Sequence, residues 1–360
     1  MTSNTIFVLL PLTLVGEGWG KGSVFKNAAR KGKTMKRLMT ICAGMMLAQG
    51  LWALTFPMPP EGNDIIGELR TIHSTEGQKI YDIAQANDMG FYEMIEANPS
   101  IYRHSEISVN TPIVIPSEFL LPDAPREGIV VNLPELRLYY YPKGENTVVT
   151  YPLAIGKYEW ITPTIVTKVI EKQKDPVWFV PKSIQKAAAA KGIIWPDVVP
   201  PGPRNPLGKF ALRLGNRSYL IHGTSSPQSI GKRASSGCMR MYPDDIEALF
   251  NAVPVGTPVR IVNEWYKLGW RNGYLYIEIH EPLQETALPR REAKVILEDT
   301  IQSIADKYNI TIDYAVLKTA LEDQTGLPVK ISTTPVAVGI ILPILNTDEY
   351  SVPTSGKVEM

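Results

Sequence analysis

The sequence lacks an excess of charge of either sign. Its 37 lysines and arginines almost balance 36 aspartates and glutamates, so no basic field predicts nucleic-acid binding and no acidic run predicts a solvating tail. A helical bundle is also disfavoured, because 30 prolines and 27 glycines are spread along the chain and favour short strands joined by turns. With 44% hydrophobic residues among 360, we expect two or more domains, mainly β, with local helices.

Long hydrophobic runs are scarce, and the two candidates lie in the first 54 residues. One is too short to span a bilayer. The other has the parts of a secretory signal: basic residues at 35–37, an apolar stretch over 38–48 and a small residue, Ala53, at the expected cleavage point. We therefore expect an exported protein whose synthesis starts near Met35, with residues 1–34 as an upstream extension. An uncleaved membrane anchor is the alternative.

Cysteine is rare as well. Cys42 lies inside the predicted signal, so Cys238 is expected to be the one cysteine of the mature chain, and a lone thiol in an exported protein needs a reason. His222 ends an apolar strand sixteen residues earlier, where an imidazole can activate a thiol. Gly237 permits a tight turn that aims the N–H groups of Gly237, Cys238 and Met239 at one point, as an oxyanion hole. The alternative is an inert buried cysteine beside a structural histidine.

The turn residues and hydrophobic patterns divide the chain into successive segments. Residues 70–117 have a β-α-α-β order within fifty residues, which resembles a LysM module that binds the glycan of peptidoglycan; a small structural domain is the alternative. Short alternating strands then predict an all-β catalytic domain. The predicted segments are an extension and signal at 1–53, a linker at 54–69, the LysM-like module at 70–117, the catalytic domain at 126–263, an extension with two helices at 264–331 and a loose tail at 332–360.

A specific resemblance is carried by the residues around the thiol. The motif runs through Tyr219-Leu220-Ile221-His222-Gly223-Thr224 and Ser235-Ser236-Gly237-Cys238-Met239-Arg240-Met241, with Asn205-Pro206-Leu207-Gly208 and Thr162-Pro163 upstream. It is similar to the active-site signature of the YkuD-type L,D-transpeptidases, in particular the periplasmic ErfK/YbiS group. The resemblance implies a YkuD-like β-sandwich catalytic domain preceded by a LysM-like module. The terminal helices lie outside the part of the chain that carries it.

The resemblance also implies roles for individual residues. Cys238 is the expected nucleophile, His222 the base, and the Gly223 carbonyl the group that orients the imidazole. Four residues are expected to bind substrate, with the Arg240 guanidinium suited to a carboxylate: Arg240, Ser235, Ser236 and Tyr219. No metal-ligand cluster or phosphate-binding loop is visible in the sequence, and we expect no cofactor.

The implied reaction is acyl transfer on peptidoglycan. The thiolate would attack the carbonyl of the L-centre of meso-diaminopimelate in a tetrapeptide stem, release D-alanine and pass the acyl group to an amine. A stem amine gives a 3-3 crosslink, the lysine of an outer-membrane lipoprotein gives an anchored protein, and water gives an L,D-carboxypeptidase or amidase. We also expect acylation of Cys238 by carbapenems and dependence on a periplasmic thiol reductase. A non-catalytic peptidoglycan-binding protein and a cysteine peptidase are the remaining alternatives.

Overall fold

The computed structural model describes residues 53–101, 106–216, 219–286 and 288–336. The predicted signal sequence with Cys42, and residues 337–360, lie outside this part of the chain. Within the described ranges, no helix combines the length and hydrophobicity that crossing a membrane requires.

The N-terminal part of the described chain builds the predicted β-α-α-β module. Its elements are β1 (Leu54–Pro57), β2 (Ile65–Gly67), β3 (Arg70–His73), α1 (Ile80–Ala86), α2 (Phe91–Ala97), β4 (Pro112–Ile115) and β5 (Glu118–Leu120). Strands β3 and β4 pair antiparallel around the two helices. The Asn98 amide joins helix to strand, because Nδ2 donates to the carbonyl oxygens of Met94 and Val114 and Oδ1 accepts from the Val114 N–H, each at 2.8 Å. The module is therefore closed by a buried side chain.

The following region supplies most of a large sheet. Its elements are β6 (Gly128–Asn132), β7 (Arg137–Tyr141), β8 (Thr147–Pro152), β9 (Ile155–Gly156), β10 (Ile165–Lys174), β11 (Trp178–Phe179), α3 (Lys182–Ala189), β12 (Val198–Val199), β13 (Phe210–Leu214), β14 (Leu220–His222), β15 (Arg233–Ser235), β16 (Met239–Arg240), α4 (Pro243–Ala252) and β17 (Pro258–Val262). The main sheet has the order β1-β8-β7-β6-β17-β10-β13-β14-β16. Buried residues from these strands and from α4, including Leu212, Ile221, Met239 and Ile246, form one core. This region, with the preceding module, confirms the expected mainly β fold.

Residues 54–69 were expected to form a linker, and the structure differs. Strand β1 pairs antiparallel with β8, and β2 pairs antiparallel with β5. The Phe56 ring packs edge-on against Phe119, with 6.3 Å between the ring centroids. Proline is tolerated at a sheet edge, where its missing N–H leaves no ladder bond unmade, so the proline-rich composition was a poor guide to this segment.

The C-terminal part forms a second layer, in which two helices pack on a three-stranded sheet. Its elements are β18 (Tyr266–Arg271), β19 (Tyr274–Ile279), α5 (Arg290–Tyr308), α6 (Tyr314–Asp323) and β20 (Val329–Lys330). The two predicted helices are present and pack against the three-stranded sheet through a separate core. Residues 332–336 were expected to belong to a loose tail, but Ser332 and Val336 are buried and Ser332 pairs with Ile312. Buried contacts therefore extend past the expected start of the tail.

The LysM-like module packs directly on the catalytic region. The Arg137 side chain on β7 forms a fully buried ion pair with Glu93 on α2, with Nε 2.6 Å from Oε1. The Tyr92 N–H donates to the carbonyl oxygen of Gly231 at 3.2 Å. Because Gly231 lies in the segment between His222 and Cys238, helix α2 braces the loop that connects them.

Candidate active site

The pairing of three strands defines the face on which the site lies. Strand β14 is antiparallel to β13, with His222 opposite Ala211, and parallel to β16, with His222 beside Arg240. Ile221 and Met239, which pair in the next register position, point into the core and are fully buried. Because side chains alternate along strands, His222 and Arg240 lie on the opposite face. Cys238, two residues before Arg240, falls beside Leu220 on that same face.

His222 is 3% exposed. Its Nδ1 lies 2.6 Å from the carbonyl oxygen of Gly223, and since a carbonyl only accepts, Nδ1 carries the proton and Nε2 keeps its lone pair. Burial, helped by the positive charge of Arg240, lowers the pKa of His222 to about 4, although the backbone groups of Gly223 and Leu207 act in the opposite direction. The ring is therefore neutral at pH 7 and can accept a proton.

Cys238 is half-buried and lies in a bend just before β16. Burial raises the pKa of its thiol, while the backbone of Leu220 and the charges of Arg240 and Arg213 lower it in part. The resting pair is consequently a neutral thiol beside a neutral imidazole. Formation of the nucleophilic thiolate requires proton transfer to a base.

The hydroxyl of Ser235 holds the thiol's turn together. It donates to the carbonyl oxygen of Cys238 and accepts from the Gly237 N–H at 3.1 Å. Ser235 is 2% exposed. This differs from two expectations: the Ser235 hydroxyl serves the turn and does not face substrate, and the Gly237 N–H is already donated and not open to an oxyanion. The Met239 N–H is also engaged, because the register of Ile221 with Met239, in a ladder where the Met241 N–H donates to His222, directs it to the Leu220 carbonyl oxygen. Of the three expected oxyanion-hole donors, the Cys238 N–H takes part in neither contact.

Gly237 adopts a conformation that disfavours other residues. Its φ is +102°, and a Cβ at this position would lie 3.3 Å from the ring of Tyr219. The Thr162 hydroxyl donates to the Gly237 carbonyl oxygen at 2.9 Å and accepts from the Gly156 N–H at 2.9 Å. Thr162 thereby fixes the turn from a distant strand connection. Its place in the motif was visible in the sequence, but its function was not.

The remaining expected substrate residues surround the thiol. Tyr219 is half-exposed, and burial together with the neighbouring Cys238 raises its pKa. Ser236 is exposed. Arg240 is half-exposed, and its buried Nε has no hydrogen-bond partner within the described ranges. Burial lowers the pKa of Arg240 in part, and the guanidinium has no acidic partner among the residues that the structure describes. It is thus available to an external anion.

Two contributions to the site were not assigned from the sequence, although Asn205 and Leu207 belong to the motif. Arg213 on β13 acts electrostatically on Cys238, and the Leu207 backbone contacts His222. The Asn205 side chain positions this backbone, because its Nδ2 donates to the Pro176 carbonyl oxygen at 2.8 Å and its Oδ1 accepts from the Leu207 N–H at 2.9 Å. The pairing of β13 with β14 brings Arg213 toward Cys238, and it brings Leu207, which lies just before β13, toward His222.

One group of side chains in the described ranges has the composition of a metal site. Glu135, Glu278 and His280 are buried with potential ligand atoms within 4.8 Å of one another. The ammonium of Lys267, however, lies 2.9 Å from Glu135 Oε2 and 2.6 Å from Glu278 Oε1. A lysine therefore already supplies the cation at this position, which belongs to the contact between the main and C-terminal sheets.

Comparison with known families gives three matches. The L,D-transpeptidase catalytic domain (YkuD) matches residues 126–261, the LysM domain matches residues 75–116, and the L,D-transpeptidase C-terminal domain matches residues 271–331. The last match covers the helical extension, which the motif alone had left unassigned.

Similar proteins agree over most of the chain. Probable L,D-transpeptidase YcfS of Escherichia coli K12 is 38% identical over 299 residues, which are 81% of this chain and 92% of that protein. Probable L,D-transpeptidase ErfK/SrfK of Salmonella typhimurium is 39% identical over 285 residues, 78% of this chain and 92% of that protein. These relatives and the family matches confirm the resemblance seen in the motif. The chain belongs to the YkuD family of L,D-transpeptidases and combines the catalytic domain with a LysM domain and the family's C-terminal domain.

Proposed function

We propose that this protein is a periplasmic L,D-transpeptidase that acts on peptidoglycan tetrapeptide stems through an acyl-enzyme on Cys238. The observation that carries the proposal is the register of β14 against β16, which puts His222, Cys238 and Arg240 on one face outside the core. A candidate nucleophile, a neutral base and an anion-binding group then share one face of the sheet, next to the half-buried turn that carries Cys238. These are the parts that acyl transfer from a carboxylate-bearing peptide requires.

In the first half-reaction, His222 takes the proton of the Cys238 thiol as sulfur attacks the carbonyl of the L-centre of meso-diaminopimelate. The oxygen of the tetrahedral intermediate receives a hydrogen bond from the Cys238 N–H, because the Met239 N–H belongs to the ladder between β14 and β16. The Gly237 N–H contributes indirectly, since its bond to Ser235 fixes the turn. His222 then returns the proton to the departing amine, and D-alanine leaves.

In the second half-reaction, an amine attacks the thioester, His222 accepts the proton of the amine, and the C–S bond breaks as this proton passes to the Cys238 sulfur. A stem amine as acceptor yields a 3-3 crosslink, and a lipoprotein lysine yields an outer-membrane protein attached to peptidoglycan. Water as acceptor would make the same site a carboxypeptidase. The Gly223 carbonyl keeps the imidazole in the required tautomer throughout, because its 2.6 Å contact holds the proton on Nδ1.

Substrate recognition is assigned to groups around the thiol. Arg240 binds a stem carboxylate with its guanidinium, on which no acidic residue of the described ranges acts, and Tyr219 and Ser236 form the adjacent rim. The LysM domain binds the glycan of the same polymer. Its ion pair between Glu93 and Arg137 holds it against the catalytic sheet, so the glycan and the stem would be presented together.

The cellular setting follows from the export signal predicted over residues 35–53. In an oxidising periplasm a reactive thiol is exposed to sulfenic acid formation, and Cys238 has no second cysteine within the described ranges to resolve it. A periplasmic thiol reductase is the expected partner. Carbapenems are expected to acylate the same sulfur.

A muropeptide profile tests the function. Cells that express the wild-type chain or its Cys238→Ala variant are compared for 3-3 crosslinked dimers, peptidoglycan-linked lipoprotein and tripeptide stems. Dimers or linked protein that depend on Cys238 support transfer to an amine. Tripeptides alone would show hydrolysis, and identical profiles would contradict the proposal.

A further inference from the structure

Arg213 lies on the same face of the sheet as the thiol. Strand β13 places Arg213 opposite Leu220, and the register of β14 with β16 places Cys238 beside Leu220 on the other side. Residues in one such row project from the same face. Arg213 and Cys238 are therefore two strand spacings apart, about 10 Å between backbones, and the charge of Arg213 helps to lower the pKa of the thiol, against the larger effect of burial.

The Arg213 side chain is held by its neighbour on the next strand. Glu171, which is opposite Arg213 on β10, accepts from Nε at 3.2 Å, and the two side chains are 29% and 50% exposed. An ion pair this exposed contributes little to stability. The pair engages Nε, one of the five N–H donors that a guanidinium presents in the planar fork that binds carboxylates.

The two arginines occupy different directions from the sulfur. Arg240 shares its register position with His222, the residue that protonates the departing amine. The leaving amino acid must therefore lie on the Arg240 side. Arg213 is in the row of Cys238 and Leu220, two residues along β14 from the row of His222. It therefore faces the part of the donor that remains attached to sulfur.

We propose that Arg213 binds a carboxylate on the acyl part of the donor, while Arg240 binds the carboxylate of the leaving amino acid. The substrate is thus a peptide with a carboxylate on each side of the scissile amide. This inference rests on the proposed function. A tetrapeptide stem offers two acyl-side carboxylates, the free α-carboxylate of its glutamate and the side-chain carboxylate of diaminopimelate.

Binding measurements separate these sources without needing turnover. Calorimetry on Cys238→Ala and on the double variant with Arg213→Gln would use three synthetic stems: the tetrapeptide, the same peptide amidated at glutamate, and the same peptide with lysine in place of diaminopimelate. We expect Arg213→Gln to weaken binding of the first stem about tenfold or more. The modified stem that lacks the carboxylate bound by Arg213 should bind equally well with and without the Arg213→Gln substitution. This stem therefore identifies which carboxylate Arg213 binds.

Kinetics give a second readout. Because the acyl part stays bound, Arg213→Gln should slow both acylation and transfer from the acyl-enzyme. Arg213→Lys, which keeps the charge without the paired donors, should recover part of the loss. Lys172→Met removes an equal charge from the other face of the same sheet, where Lys172 lies 4.6 Å from the centre of the Phe250 ring, and should leave both steps unchanged.

Three results would overturn the inference: unchanged binding of the tetrapeptide by Arg213→Gln, an equal loss for all three stems, or slower acylation with unchanged transfer. The last pattern, together with slower alkylation of the thiol by iodoacetamide, would mean that Arg213 acts on sulfur and not on substrate. If the wild-type enzyme neither binds nor converts any stem, the proposed function itself fails. A wild type that is active and a variant that is equally active contradict only the role of Arg213.

Discussion

His222 and Arg240 sit side by side on adjacent parallel strands, so a positive charge lies next to a buried imidazole. Burial, and to a lesser extent this charge, lowers the pKa of His222 to about 4. Burial also raises the pKa of Cys238. The resting enzyme therefore holds a neutral pair, in contrast to cysteine enzymes that store a thiolate beside an imidazolium.

The neutral pair predicts how the thiol responds to pH. Alkylation of Cys238 by iodoacetamide should increase with pH, with a midpoint above the ordinary thiol value of about 8.5. Arg240→Gln should move the midpoint higher, because it removes a charge that favours the thiolate. Second-order rate constants for this alkylation, measured between about pH 5 and pH 10, provide the test. A rate that stays constant down to pH 5 would reveal a stored ion pair and contradict the account.

His222 should also make folding stability depend on pH. Its folded pKa lies below the unfolded value, so the unfolded chain binds the proton first and stability is lost as pH falls from about 6.5 toward about 4. The loss is about 3 kcal/mol from this residue. Urea unfolding of the wild type and of His222→Gln at pH 7 and pH 4.5 isolates it, since the other titrating groups are common to both. Equal pH dependence in the two proteins would refute the burial of a neutral ring.

Ser235 is predicted to matter for the thiol's turn. Ser235→Ala removes two hydrogen bonds from that turn and should destabilise the protein by about 1–3 kcal/mol, and slow acylation by roughly tenfold or more through a misplaced sulfur. Ser225→Ala is the matched control, because this serine of the same connection between β14 and β15 is exposed and has no assigned part in the site. Stopped-flow acylation and thermal unfolding of both variants provide the measurement. Similar behaviour of the two would remove Ser235 from its structural role.

The buried charges around Lys267 are predicted to stabilise the contact between the two sheets. Lys267→Met leaves Glu135 and Glu278 buried without their cation, which should cost about 3–5 kcal/mol. Lys318→Met, which breaks an exposed pair with Glu322, should change stability by less than about 0.5 kcal/mol. Denaturant unfolding at pH 7 compares them. If Lys267→Met changed stability as little as Lys318→Met does, the buried ion pairs would not stabilise the contact between the sheets.

The sequence predicted Cys238 as nucleophile and His222 as base because their motif is local, but it did not predict which residues the fold brings beside them. Strand β1 was expected to be linker, since proline-rich composition masks an edge strand whose partner, β8, lies far along the chain. Arg213 and Thr162 reach the thiol only through strand register and a long-range hydrogen bond. The Ser235 hydroxyl was placed correctly in the motif but assigned to substrate, because sequence does not show which way a hydroxyl turns. These contacts depend on long-range pairing and on side-chain orientation, and the residues adjacent in sequence do not reveal either one.

Catalysis through the thiol requires that Cys238 carry the acyl group of a tetrapeptide stem. Intact-mass spectrometry of enzyme quenched early with the tetrapeptide would detect this acyl-enzyme, with Cys238→Ala as the control. We expect an adduct equal in mass to the stem without its terminal D-alanine, mapped to Cys238 and absent from the variant, with one D-alanine released per adduct. An enzyme that converts the stem with no adduct on Cys238, or a Cys238→Ala variant that still releases D-alanine, would contradict it.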